Sequence, residues 1–140
     1  MIERVLVALD GSEPANKALD LALELAEKYS AEIVLLSVFI SVVLPGGVPA
    51  RKHTAELKAS HEKVLSEALK KAKTIKPKLK VSTKLVEGRP SDRIIEIAKE
   101  GNFDIIVMGS RGLGGIKEFF LGSVSDRVAD EATCPVLIVK

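Results

Sequence analysis

Cysteine and long apolar runs are scarce in this chain, and each shortage excludes a class of protein. Cys134 is the single cysteine among 140 residues, so no disulfide can form within the chain, as is usual in the reducing cytoplasm. No apolar run reaches the roughly 18 residues of a membrane-spanning helix. Residues 1–4 lead directly into a strand-like segment without a secretion signal. We therefore expect a cytoplasmic protein that does not enter a membrane.

Aromatic residues are also few, at 4% of the chain, and tryptophan is absent. The 21 basic and 19 acidic residues nearly cancel and leave a net charge of +2. Proteins that bind nucleic acids usually carry a basic excess and aromatic side chains that stack on bases, so we expect no nucleic-acid partner. A length of 140 residues with 46% hydrophobic content suits one globular domain, which we place at residues 1–140.

Strand-like and helix-like segments alternate along the whole sequence. Five segments predict strands, four of them continuous apolar runs of the kind found in parallel strands covered on both faces. They are residues 5–9, 33–36, 81–85, 105–108 and 136–139. Four other segments place apolar residues at helical spacing, namely residues 15–29, 57–75, 90–98 and 122–132. The alternation predicts an α/β fold, a single open five-stranded parallel sheet with helices on both faces.

The position of two loops suggests where such a sheet would bind a ligand. Ligands of open parallel sheets bind beyond the carboxyl ends of the strands, where the strand order reverses. If the first and fourth strands are neighbours, Asp10 and Gly109 flank that crevice. The 81–85 segment alternates apolar and polar residues, so we expect this strand at an edge of the sheet.

The loop after the fourth strand is rich in glycine and leads into the last helix. Gly109-Ser110-Arg111-Gly112 is followed, after nine further residues, by Gly122-Ser123. Glycine lets main-chain N–H groups approach an anion without a Cβ in the way. A helix N-terminus adds unpaired donors and a partial positive charge. The combination predicts a phosphate-binding site.

Neither common nucleotide fingerprint accompanies this pattern. The Walker pattern fails because no Gly-Lys-Ser/Thr occurs, and Lys117 stands where a dinucleotide pattern begun by Gly112 requires its last glycine. Structural explanations also stay open. Ser123 and Asp126 fit a capping box, and the loop glycines fit a flexible surface loop.

Several separated motifs together resemble the ATP-binding branch of the universal stress protein (UspA-like) family. Besides the glycine pattern, they are the opening stretch 5–12, the turn Val86-Glu87-Gly88-x-Pro90 and the closing stretch 133–139. The motifs occur in the family's order and spacing over the whole chain. The resemblance implies a Rossmann-like, adenine-nucleotide α-hydrolase-like sheet with strand order 3-2-1-4-5.

The resemblance also implies roles for individual residues. Asp10 corresponds to the acidic residue that reaches the nucleoside part of ATP, and Val38 to the position that meets adenine through main-chain groups. Ala8 stands where some ATP-binding members have proline, which is expected to alter packing near the base. The full set of predicted cofactor-binding residues is Ala8, Asp10, Val38, Met108, Gly109, Ser110, Arg111, Gly112, Gly122, Ser123, Val124 and Ser125.

The function implied by the resemblance is a stress-response sensor or adaptor that binds ATP, with Mg²⁺ or Mn²⁺ held through the phosphates. Two alternatives stay open: a slow ATPase or nucleotidyl-transfer enzyme, and a dimeric interaction module that binds no nucleotide. Arg111 and Lys117 could contact phosphate oxygens, but no residue is recognisable as a catalytic base, so no catalytic residue is predicted. His53 and His61 have no partner at ligand spacing, so no metal site is predicted.

The terminal strand Val136–Val139 predicts how the protein assembles. It is wholly apolar and nothing follows it except Lys140, so it should form an exposed sheet edge. Natural proteins usually guard such edges against pairing with other chains. Pairing with a second copy across a twofold axis would cover it. The resemblance implies the same antiparallel pairing in a homodimer. The sequence does not identify a further protein partner.

Overall fold

The computed structural model describes residues 1–111 and 123–140, and within them strands and helices alternate as predicted. The elements are β1 (Arg4–Ala8), α1 (Glu13–Tyr29), β2 (Glu32–Phe39), α2 (Arg51–Ile75), β3 (Val81–Glu87), α3 (Pro90–Glu100), β4 (Ile105–Gly109), α4 (Ser123–Glu131) and β5 (Val136–Val139). β2 extends beyond its prediction because the strand continues through the polar residue Ser37. α2 begins earlier than its apolar stripe, at Arg51.

The five strands form one parallel sheet in the order β3-β2-β1-β4-β5, which confirms the predicted fold class and strand order. β1 lies in the middle, where Leu6 pairs with Val34 of β2 on one side and with Ile106 of β4 on the other. After β1 the chain adds β2 and β3 on one side of it, and then adds β4 and β5 on the other side. The predicted reversal of strand order therefore lies between β1 and β4.

Alternate residues of the central strands build two cores, one on each face of the sheet. Val5 and Val7 face the buried side of α1 and part of α2. Leu6 and Ile106 face α3 and α4. A strand buried on both faces needs apolar residues at every position, which explains the continuous apolar runs in the sequence.

None of the helices in the described ranges is long and apolar enough to cross a bilayer. α2 has sufficient length at 25 residues, but charged side chains cover its outer surface.

Asp104 fastens the amino-terminal ends of β1 and β4 to each other. Its carboxylate accepts hydrogen bonds from the main-chain N–H groups of Glu3 (2.8 Å) and Arg4 (2.9 Å). These two bonds stabilise the charged form and hold the pKa of Asp104 below its usual value.

We expect the free energy of unfolding of Asp104→Asn to decrease less on acidification than that of the wild type. A carboxyl whose pKa is lower in the folded than in the unfolded chain stabilises the fold above the unfolded pKa, and this contribution vanishes as the pH falls through the folded value. Urea unfolding at about pH 7 and at about pH 3 measures the difference between the free energies of unfolding at the two pH values. That difference should be smaller in Asp104→Asn than in the wild type, and unchanged in the matched control Asp130→Asn, which alters an exposed aspartate of α4. Equal pH dependence in all three proteins would contradict the assignment.

Candidate functional site

A cavity of about 510 Å³ opens beyond the carboxyl ends of β1, β2 and β4. It lies at the reversal of strand order between β1 and β4, where open parallel sheets bind ligands. Its volume falls within the range of about 300–1,000 Å³ that is usual for small-molecule sites. The strand order alone therefore accounts for the presence of a cleft here.

The structure brings most of the predicted cofactor-binding residues to the wall of this cavity. Those that line it are Ala8, Asp10, Val38, Met108, Gly109, Arg111, Ser123, Val124 and Ser125. Their main chain comes from the ends of three strands and the start of α4, so residues more than a hundred positions apart share one wall. Gly112, Lys117 and Gly122 lie outside the described residues.

Ser110 differs from most of the other predicted cofactor-binding residues in that it does not line the cavity. It is buried, with 5% of its surface exposed. Its N–H donates to the carbonyl oxygen of Val139 (2.8 Å). Its own carbonyl accepts a hydrogen bond from the Ser125 hydroxyl (3.0 Å). Ser110 therefore joins β4, β5 and the first turn of α4 behind the cavity wall.

Gly109 serves close packing as well as lining the cavity. A Cβ at this position would lie 2.7 Å from the main-chain nitrogen of Ala15 and 2.8 Å from the carbonyl carbon of Pro14. The first turn of α1 thus rests directly on the end of β4, at a distance that only glycine permits. The family resemblance implied that this glycine lines the sugar and base side of a nucleotide site, and the sequence did not reveal its packing role.

The loop after β1 is fixed by hydrogen bonds that start from Asp10. The Asp10 carboxylate accepts a bond from the N–H of Ser12 (2.9 Å) across a turn in which Gly11 has a φ of 86°. The Ser12 hydroxyl caps α1 by accepting from the N–H of Ala15 (3.3 Å), and it donates to the carbonyl of Arg111 (3.3 Å). The loops after β1 and β4 are therefore tied together at the cavity.

His61 of α2 lines the same cavity, and the sequence analysis did not identify it as a binding residue. Its Nδ1 atom lies 2.6 Å from the hydroxyl oxygen of Ser37, which is 1% exposed. Burial lowers the pKa of His61, and the nearby Asp10 carboxylate acts in the opposite direction. Two signals were available in the sequence, since Ser37 interrupts an apolar strand and His61 interrupts the apolar stripe of α2.

The two ends of the cavity differ in chemical character. Apolar side chains from β2, α2 and α3 form one end, among them Val38, Leu57 and Ile94. The other end receives Arg111 and the N-terminus of α4, which starts at Ser123. A helix N-terminus carries unpaired N–H donors and a partial positive charge. The cavity thus suits a ligand with a flat apolar part and an anionic part.

No group of three histidine, cysteine or acidic side chains within residues 1–111 and 123–140 could hold a metal ion.

These features define an α/β protein with a doubly covered parallel sheet and a ligand cavity at the switch in strand order. Comparison with known proteins identifies the group more closely. The chain belongs to the universal stress protein family, whose family model matches residues 1–140.

Individual relatives show the same relationship in sequence and structure. The chain is 39% identical to universal stress protein YxiE of Bacillus subtilis, with 100% of each chain covered. A universal stress protein solved in complex with cAMP superposes with a TM-score of 0.75 at 27% identity, covering 99% of this chain and 97% of that one. A family member of Arabidopsis thaliana solved with AMP bound gives a TM-score of 0.72 at 26% identity, covering 99% and 91%.

Proposed function

We propose that the cavity binds an adenine nucleotide, with ATP as the first candidate and Mg²⁺ or Mn²⁺ held through its phosphates. The observation that carries this proposal is the mixed wall of the cavity, which is apolar beside β2 and contains Arg111 and the N-terminus of α4. The solved relatives with cAMP and AMP support an adenine nucleotide as the ligand class.

The residues divide between the two parts of such a ligand. At the nucleoside end, Val38 and Met108 offer apolar contacts and Asp10 offers a carboxylate to hydroxyl or amino donors. At the phosphate end, Arg111 and the first turn of α4 offer positive charge and N–H donors. We assign Gly112 and Gly122 to the phosphate end because of their positions in the glycine pattern of the sequence.

Isothermal titration with Mg-ATP tests the proposal directly. We expect binding at about micromolar affinity or tighter, and a loss of at least about tenfold in Gly112→Val, since a side chain would enter the space meant for phosphate. Gly46→Val is the control for added side-chain volume because a Cβ there meets no atom within 4 Å and the residue does not line the cavity. Its φ of +87° strains the backbone, so circular dichroism first checks that the variant is folded. Equal affinities in the wild type and Gly112→Val would remove the phosphate assignment, and no binding by the wild type would remove the proposal.

We also propose that the protein forms a homodimer through β5. The two edges of the sheet differ in the way that this requires. β3 exposes Ser82, Thr83 and Lys84, which discourage pairing with another strand. β5 presents four aliphatic residues that are half-buried in one chain.

The open side of β5 has main-chain groups ready for pairing. The carbonyls of Pro135 and Val139 accept hydrogen bonds from the N–H groups of Ile106 in β4 and of Ser110 directly after it. Because main-chain groups alternate in direction along a strand, the N–H and C=O of Val136 and Ile138 face away from β4. A second copy of β5 could pair with these groups across a twofold axis.

Within the cell, we propose that this dimer acts in the cytoplasm as a nucleotide-dependent sensor or adaptor in a stress response. Nucleotide in the cavity would change the surface around the loops after β1 and β4, and a partner protein would recognise the change. The proposal rests on membership of the universal stress protein family together with the cavity described above.

A further inference from the structure

His61 and Ser37 form a polar pair at the apolar end of the cavity, and the roles proposed above leave it without a function. Ser37 is almost completely buried in β2, and His61 projects from α2 to the cavity wall. A partly buried polar pair costs free energy unless its hydrogen bonds are satisfied, so its bonding pattern can be worked out group by group.

The Ser37 hydroxyl has one proton, and the chemistry of its two neighbours decides where it goes, because a carbonyl oxygen can only accept. The hydroxyl donates to the carbonyl oxygen of Leu9 at 2.8 Å. The 2.6 Å contact between the Ser37 oxygen and Nδ1 of His61 then requires the ring to donate. His61 therefore carries a proton on Nδ1.

The remaining ring nitrogen of His61 follows from this assignment. Burial lowers the pKa of the imidazole, which favours the neutral ring at neutral pH. A neutral ring with its proton on Nδ1 has a lone pair on Nε2 and hence an acceptor. No hydrogen bond joins Nε2 to any residue in the part of the chain that the structure describes.

The position of this acceptor is fixed by the sheet. Leu9 directly follows β1, and its N–H is bound to the carbonyl of Leu36 (2.8 Å). Ser37 lies in β2, and its hydroxyl links the Leu9 carbonyl to the imidazole of α2. Three elements thus hold the ring in one orientation, as a binding group requires.

We propose that His61 is a ligand-binding residue of the cavity, whose Nε2 accepts a hydrogen bond from a donor on the nucleoside part of the nucleotide. This inference rests on the proposed function and names a specificity-determining contact within it. Asp10 also lines the cavity and acts on the ring electrostatically, so the same cavity wall offers a second acceptor. Two acceptors on one wall favour a ligand group rich in donors, either the exocyclic amino group of adenine or a ribose hydroxyl.

The tautomer can be tested without any nucleotide. The chain contains only two histidines, His53 and His61, so long-range ¹H–¹⁵N spectra hold two imidazole patterns. We expect the Nδ1–H tautomer for His61 in the free protein at neutral pH, with His53 as the exposed reference on the same helix. An Nε2–H tautomer for His61 would overturn the inference and leave the proposed nucleotide binding intact.

Two substitutions separate binding from a merely structural role. His61→Asn places an amide donor where Nδ1–H was, which keeps the bond to Ser37 and removes the Nε2 acceptor. His61→Gln extends an amide oxygen toward the Nε2 position and restores an acceptor. We expect His61→Asn to weaken ATP binding about tenfold, His61→Gln to recover most of that loss, and the matched control His53→Asn to bind as the wild type does.

Analogues of ATP identify the donor and complete the test. ITP lacks the exocyclic amino group, and 2′-deoxy-ATP lacks one ribose hydroxyl. If His61 accepts from the amino group, the wild type prefers ATP to ITP and His61→Asn loses that preference; if it accepts from the hydroxyl, the same holds for 2′-deoxy-ATP. Wild-type affinity for ATP in His61→Asn, or both preferences unchanged in that variant, would show that His61 only supports Ser37. Absence of ATP binding by the wild type would overturn the proposed function and this inference together.

Discussion

Gly109→Ala should destabilise the protein by about 3 kcal/mol, the upper end of the cost of overpacking a core. The added Cβ would lie 2.7 Å from the nitrogen of Ala15 and 2.8 Å from the carbonyl carbon of Pro14. Both atoms belong to the main chain of α1, so no side-chain rotation relieves the clash. The first turn of α1 must move away from β4, and it would draw Ser12 out of its hydrogen bond to the Arg111 carbonyl.

Urea unfolding followed by circular dichroism measures this effect, because the chain has no tryptophan to report by fluorescence. The matched control is Gly46→Ala, where a Cβ meets nothing within 4 Å and only the φ of +87° is unfavourable. That control should cost about 1–2 kcal/mol from backbone strain alone. A smaller loss in Gly109→Ala than in Gly46→Ala would mean that α1 does not need a glycine beneath it.

Ile138→Pro should dissociate the proposed homodimer, with a dissociation constant raised at least about 30-fold. The N–H of Ile138 faces the open side of β5, so proline removes a donor from the intermolecular ladder. Twofold symmetry applies this loss twice, and each carbonyl oxygen left without its donor costs about 1–3 kcal/mol. The bonds to the carbonyls of Pro135 and Val139 do not involve this N–H, so each chain keeps its own sheet.

Sedimentation velocity distinguishes the 15.0 kDa monomer from a particle of twice that mass. Ile138→Ala is the matched control, since it loses the same side-chain packing against the α3 and α4 side of the sheet and retains the N–H. We expect the control to remain largely dimeric and Ile138→Pro to sediment as a monomer. A monomeric wild type would remove the proposed homodimer, and a dimeric Ile138→Pro would show that the interface does not depend on β5.

Most of the fold was predictable because its signals are local. Each central strand is a continuous apolar run, and each helix shows an apolar stripe, so their order along the chain specifies a parallel sheet. The ends of elements were less predictable. β2 passes through Ser37, whose polar side chain ended the predicted strand early, and its hydrogen bonds to Leu9 and His61 are long-range contacts without a local signature.

The candidate site was predictable where its residues lie directly after strands, as Asp10 and Gly109 do. His61 lies in the middle of α2, and its place at the cavity depends on how that helix crosses β2. Gly109 shows a different difficulty, because one glycine serves both close packing and the cavity wall. A sequence motif reports that glycine is needed at a position and does not distinguish between the two reasons.

Ser110 has a consequence for how the protein would respond to its ligand. Its N–H is bound to Val139 in β5, and its carbonyl to Ser125 at the cavity. One peptide segment thus lies between the cavity, where we propose that a nucleotide binds, and the proposed interface between copies. Any preference of the dimer for the loaded state would be matched by an equal preference of the ligand for the dimer, as thermodynamic reciprocity requires. The amount of dimer in a cell would then report the supply of its nucleotide.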